Sequence, residues 1–105
     1  MAKIVIAVKA QISLKDFMLY SEEEFGQKAL KNLKKKVNQK IKGLETFPEI
    51  GFPEPLLSKR EEGFRACIVQ KPIKMVYHYD KITDTVYIDN FWDMRRNPEN
   101  LKKDI

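Results

Sequence analysis

Between Gln27 and Leu44 the chain carries an apolar series, Leu30, Leu33, Val37, Ile41 and Leu44, at intervals of 3, 4, 4 and 3. A helix turns by about 100° per residue, so this spacing gathers five aliphatic side chains on one helical side. The same segment holds seven lysines (28, 31, 34, 35, 36, 40 and 42) and no acidic residue. Lys28, Lys31, Lys35 and Lys42 fall opposite the apolar stripe. Lys40 lands within it, where its stem can cover core surface while its ammonium reaches water. Such a helix needs an apolar layer beneath it and water or an anionic partner above.

The surrounding sequence supplies that layer. Leu14, Phe17, Met18 and Phe25 share a helical face on which Ser21 is the only polar position, and Ser13 followed by Asp16 resembles a helix start. Gly26 separates this stretch from the lysine-rich one, which makes an αα-hairpin. Pro48 ends the second helix, since its ring cannot donate a helical hydrogen bond. Gly51, Pro53 and Pro55 keep the chain irregular to about Gly63. Residues 3–8 read as a short buried strand, and 64–70, 74–80 and 85–92 as three more joined by hairpin-length gaps. On the middle strand Met75, Tyr77 and Tyr79 face one way, and Lys74, Val76 and His78 the other. The order β-α-α-β-β-β predicts an α+β fold, an antiparallel four-stranded sheet with the helical hairpin on one face.

Composition narrows the function classes. A chain of 105 residues suits one domain, spanning 1–105. Cys67 is the only cysteine and His78 the only histidine, so neither a disulfide nor a metal site is expected, and no cofactor. The apolar run from Ile4 to Val8 is too short for a signal peptide or a membrane span, which implies a cytoplasmic protein. Net charge is +5, and the 27–44 segment alone contributes +7, leaving 5 − 7 = −2 elsewhere. The positive field is therefore local. Lys28, Lys31, Lys35 and Lys42 form a basic surface suited to an acidic protein partner, a nucleic acid or a ribosome, or else a solvated helix face.

Several stretches together resemble a known family. They are Glu24-Phe25-Gly26 before the second helix, Phe47-Pro48-Glu49-Ile50-Gly51 after it, and Gly63-Phe64-Arg65 at the entry to the sheet. The tyrosine-rich Lys74–Tyr79 and the tail Ile88–Pro98, with its Arg95-Arg96-Asn97-Pro98, complete the set. In order, spacing and length they are similar to RelE/ParE toxins of bacterial type II toxin–antitoxin, or plasmid stabilisation, systems. The resemblance implies a cognate antitoxin as partner and two possible actions. ParE-like members bind and poison DNA gyrase. RelE-like members cut messenger RNA on the ribosome.

For RNA cleavage without metal, a base, an acid and cations must surround the phosphorane. By resemblance the cations are Arg65, Lys74 and Arg95. The basic place two residues after Arg65 holds Cys67, however, and Leu101-Lys102-Lys103-Asp104-Ile105 stands where a tyrosine is expected. His78, set between two tyrosines, reads as structural, and Cys67 as a buried strand thiol rather than a nucleophile. The incomplete acid–base set favours the ParE-like action, with Arg95 and Arg96 as target-binding residues or as partners of Asp89, Asp93 or Glu99. The alternatives are a metal-independent endoribonuclease and a non-toxic basic nucleic-acid-binding domain.

Overall fold

The computed structural model describes residues 1–104. Strand β1 (Lys3–Ile6) leads into α1 (Val8–Phe25), and α2 (Gln27–Thr46) returns after Gly26. The irregular stretch contains a two-residue strand, β2 (Phe52–Pro53), and a single 3-10 turn at Pro55–Leu57. Strands β3 (Arg65–Gln70), β4 (Ile73–Asp80) and β5 (Thr85–Asp93) follow, then a short helix, α3 (Pro98–Asp104).

The α+β class and the helical hairpin agree with the sequence reading, but the sheet differs. It has five strands in the order β1-β5-β4-β3-β2 and is mixed, because β1 runs parallel to β5. Parallel neighbours require a long connection, and here the helical hairpin and three strands lie between them. Along β5, β1 covers only Thr85–Ile88, and α1 then packs against the remainder of that strand. Helix α2 brings the chain back, so that Glu45 C=O accepts from Ala2 N–H at 2.9 Å. The extra strand β2 pairs antiparallel with Ala66 and Arg65 at the far edge.

Helix α1 starts five residues before the expected Ser13. Ala7 N–H donates to Ile88 C=O at 2.9 Å, anchoring the first turn to β5, and Gln11 Nε2 donates to Ile6 C=O at 2.9 Å. These tertiary and local bonds replace a side-chain cap, which the helix lacks. Leu14, Phe17 and Met18 pack on the core and Ser21 is buried among them. Phe25, expected on the same face, is 71% exposed. It stands beside the β3–β4 turn at the end of the sheet, its ring edge-on to Tyr20 with centroids 6.3 Å apart.

Helix α2 follows its periodicity: Leu33, Val37 and Leu44 are buried, and Ile41 packs against them. Together with Met75, Tyr77, Val86, Ile88 and Phe91 they form the core between hairpin and sheet. A second, smaller core occupies the other face, where the 3-10 turn and α3 cover Phe64, Ala66, Val76 and Trp92 with Leu57 and Leu101. That face therefore carries structure of its own, which the strand alternation alone did not anticipate.

Candidate functional site

The end of β5 holds the most ordered arrangement of exposed cations. Asp93 Oδ1 accepts from Arg95 N–H at 2.9 Å and from Arg95 Nε at 3.1 Å, and Oδ2 accepts from Nη2 at 2.9 Å. The fork fixes the guanidinium plane while leaving the Arg95 side chain 68% exposed. The Arg95 guanidinium holds the Asp93 carboxyl below its ordinary range, and Asp93 in turn raises Arg95. Arg96 lies over the buried Trp92 ring at 4.5 Å from its centroid, a cation–π contact that orients the second guanidinium. Met94 N–H donates to Pro72 C=O at 2.8 Å and ties this tail to the β3–β4 turn.

Beside these arginines a groove of about 350 Å³ runs along α1, with Asp16, Phe17 and Tyr20 on one wall and Phe91, Asp93 and Arg95 on the other. A neighbouring depression of about 220 Å³ shares Phe17, Tyr20 and Arg95 and reaches Phe25. Tyr20 and Phe25 are 53% and 71% exposed. Aromatic rings next to planar cations are the composition of protein-binding hot spots.

The other basic residues singled out by resemblance lie elsewhere. Arg65 sits opposite Tyr77, donating from Nη1 to Gly51 C=O at 2.8 Å, with Glu49 at 3.8 Å. Gly51 N–H donates to the Tyr77 phenol oxygen at 2.9 Å. Burial pushes the Tyr77 phenol up to about 12. A Cβ on Gly51 would lie 2.7 Å from the Tyr77 oxygen and 2.8 Å from Ala66 C=O, so only glycine fits. The proline–glycine motif after α2 is thus a packing device.

Lys74 points to the opposite face and is buried against Glu54, with Nζ 2.7 Å from Oε2. Arg65, Lys74 and Arg95 therefore do not converge: the first two lie on opposite faces of the sheet and the third lies beyond its end. Lys28, Lys31, Lys35 and Lys42 are all exposed on α2. Lys40 is exposed too, and near enough to Cys67 to favour its thiolate. Burial outweighs this and pushes the Cys67 thiol up, as expected of a structural thiol.

Two features escaped the sequence. Glu54 looked like one loop acid among several, and nothing local marked it as buried. Asp89 reaches His78 because the β4–β5 pairing slips by one residue: Val76 faces Asn90, yet Tyr77 faces Ile88. His78 Nδ1 lies 2.7 Å from Asp89 Oδ2. The imidazole stacks on Tyr87 at 5.0 Å and meets the edge of Phe64 at 5.3 Å. The Asp89 hydrogen bond raises the His78 pKa against the opposing effect of burial. Among the described residues no three of His, Cys, Asp and Glu gather as metal ligands, and no helix is long and apolar enough to cross a membrane.

The structure is similar to the crystal structure of a metal-bound toxin from Helicobacter pylori, with a TM-score of 0.67 over 90% of this chain and 97% of that one. Identity is 18%, so this likeness establishes the fold alone, and the metal belongs to that protein. Comparison with curated proteins finds no match. The family model of the ParE toxin of the type II toxin–antitoxin system, parDE, matches residues 4–98. From its first strand to the start of its last helix, then, the chain belongs to the ParE toxin family, whose members pair with an antitoxin in type II toxin–antitoxin systems.

Proposed function

We propose that this toxin acts by binding DNA gyrase, using Arg95, Arg96 and the aromatic groove beside them. The observation that carries the reading is the contrast between the basic residues. Arg65 and Lys74 are largely covered, on opposite faces of the sheet, whereas Arg95, held by Asp93, and Arg96, held over Trp92, remain exposed. Guanidiniums already held in place lose little rotamer freedom on binding, so more of their interaction with an acidic surface is expressed as affinity. The antitoxin neutralises the toxin by covering this end of the molecule. Purified toxin is expected to trap cleaved complexes in a gyrase reaction, and R95A/R96A to weaken trapping by at least about tenfold, as for loss of central interface residues.

Pulse-labelling after induced expression tests the alternative action on the ribosome. The gyrase reading expects DNA synthesis to stop first. Earlier arrest of protein synthesis, or a gyrase reaction without cleaved complexes, overturns it.

A further inference from the structure

The lysine face of α2 takes no part in the gyrase reading, and its surroundings are unusual for this chain. Every exposed position from Gln27 to Thr46 is Lys, Asn, Gln or Thr. Lys28, Lys31, Lys35 and Lys42 make no ion pair or hydrogen bond with any described residue. Lys74, Lys81, Lys102, Arg65 and Arg95, by contrast, each have a carboxylate within 4.0 Å. Their repeat, with steps of 3, 4 and 7 residues, keeps the four within about 60° of one another around the helix axis and spreads them over about 21 Å. Asn32 and Gln39 border this stripe on one side, adding amide donors beside the charges.

What could cover such a face follows from what it lacks. Protein partners are held through buried apolar and aromatic contacts, and this face offers none. Single strands are held by stacking on aromatic rings, which are also missing. A rigid line of cations and amides matches a regularly charged polyanion, and duplex DNA carries one negative charge per about 1.7 Å of its axis.

We propose that α2 is a phosphate rail for duplex DNA, with Lys28, Lys31, Lys35 and Lys42 lying along the backbone without reading sequence. Glu22, Glu23 and Glu24, at the end of α1, lie in the chain just before the rail and set its limit on that side. The rail is independent of the gyrase reading and would hold the toxin on DNA whatever its target.

The test is anisotropy of a labelled duplex of about 20 base pairs with purified toxin across a salt series. Four neutralised phosphates give a slope of about −3.6 in log affinity against log salt, a loss of about 150-fold between 50 and 200 mM. Each single Lys→Ala variant should reduce the slope by about one, and K28A/K31A/K35A/K42A should remove most of it. Alanine favours helix and these lysines make no ion pair or hydrogen bond with described residues, so the melting temperature of the quadruple variant should stay near that of the parent. An unchanged slope in that folded variant overturns the rail. So does tighter binding of a single strand of equal length, displacement of the duplex by a polyglutamate of equal charge as effectively as by unlabelled duplex, or no duplex binding at 50 mM salt. Because naked DNA is used, none of these outcomes bears on gyrase trapping.

Discussion

Replacing Lys74 with methionine separates packing from chemistry at a residue that the family resemblance makes a candidate cation. The ammonium and the Glu54 carboxylate are 2.7 Å apart, with their side chains 10% and 1% exposed. Glu54 Oε1 also accepts from Leu56 N–H at 3.3 Å at the start of the 3-10 turn. Lys74→Met leaves this carboxylate buried without its counter-charge. Breaking a buried pair from one side costs about 3–5 kcal/mol, a large part of the about 5–15 kcal/mol that holds a domain of this size together. Thermal unfolding followed by circular dichroism should then show a melting temperature lower by more than about 10 °C. K74M/E54Q removes both charges and keeps an acceptor for Leu56, so its loss should be no more than about 2 kcal/mol. Urea titration of the parent, both single variants and the double variant gives the coupling directly. A Lys74→Met cost below about 1 kcal/mol, or a double variant no more stable than Lys74→Met, refutes the reasoning. The same double variant tests function: once folding is restored, retained toxicity makes Lys74 a structural residue, and lost toxicity makes it a working cation.

Two further predictions concern the loop after α2 and the β4–β5 pairing. Gly51→Ala forces a methyl group against the Tyr77 oxygen and Ala66 C=O, so it should cost about 1–3 kcal/mol in urea titration, and a neutral outcome would show that the loop yields. The His78 pKa lies above its ordinary 6.5 in the folded chain, so its contribution to stability is complete below about pH 6.5 and is lost as pH rises through the folded value. Asp89, raised by burial, acts in the same sense at lower pH. Unfolding free energy should therefore fall as pH rises above about 6.5, and His78→Asn should flatten that fall. Stability that rises over this range would contradict the assignment.

What the sequence alone determined is the set of elements and the faces they present. The stripe from Leu30 to Leu44 specified α2 closely, because helical period and burial coincide over several turns. Alternation likewise put Met75 and Tyr77 on one face of β4 and Lys74 and Val76 on the other, and the structure turns the first pair toward the hairpin. The recurring proline, glycine and arginine motifs were enough to indicate the family. Tertiary structure decided which elements are neighbours, and local pattern carries no record of that. Val8 begins α1 because Ala7 is held by Ile88, 81 positions later, and Ser13, a good cap in isolation, ends up within the helix. Strand β1 lies parallel beside β5 because that edge gives Ile4 and Ile6 a place in the core. The one-residue slip opposite Tyr77 brings Asp89 to His78, and the path of the loop brings Glu54 to Lys74. The same long-range packing divides the basic residues between structural and accessible roles. A lysine has the same letter in either role; whether it keeps its charge in water or spends it on a buried carboxylate depends on which distant segment folds over it.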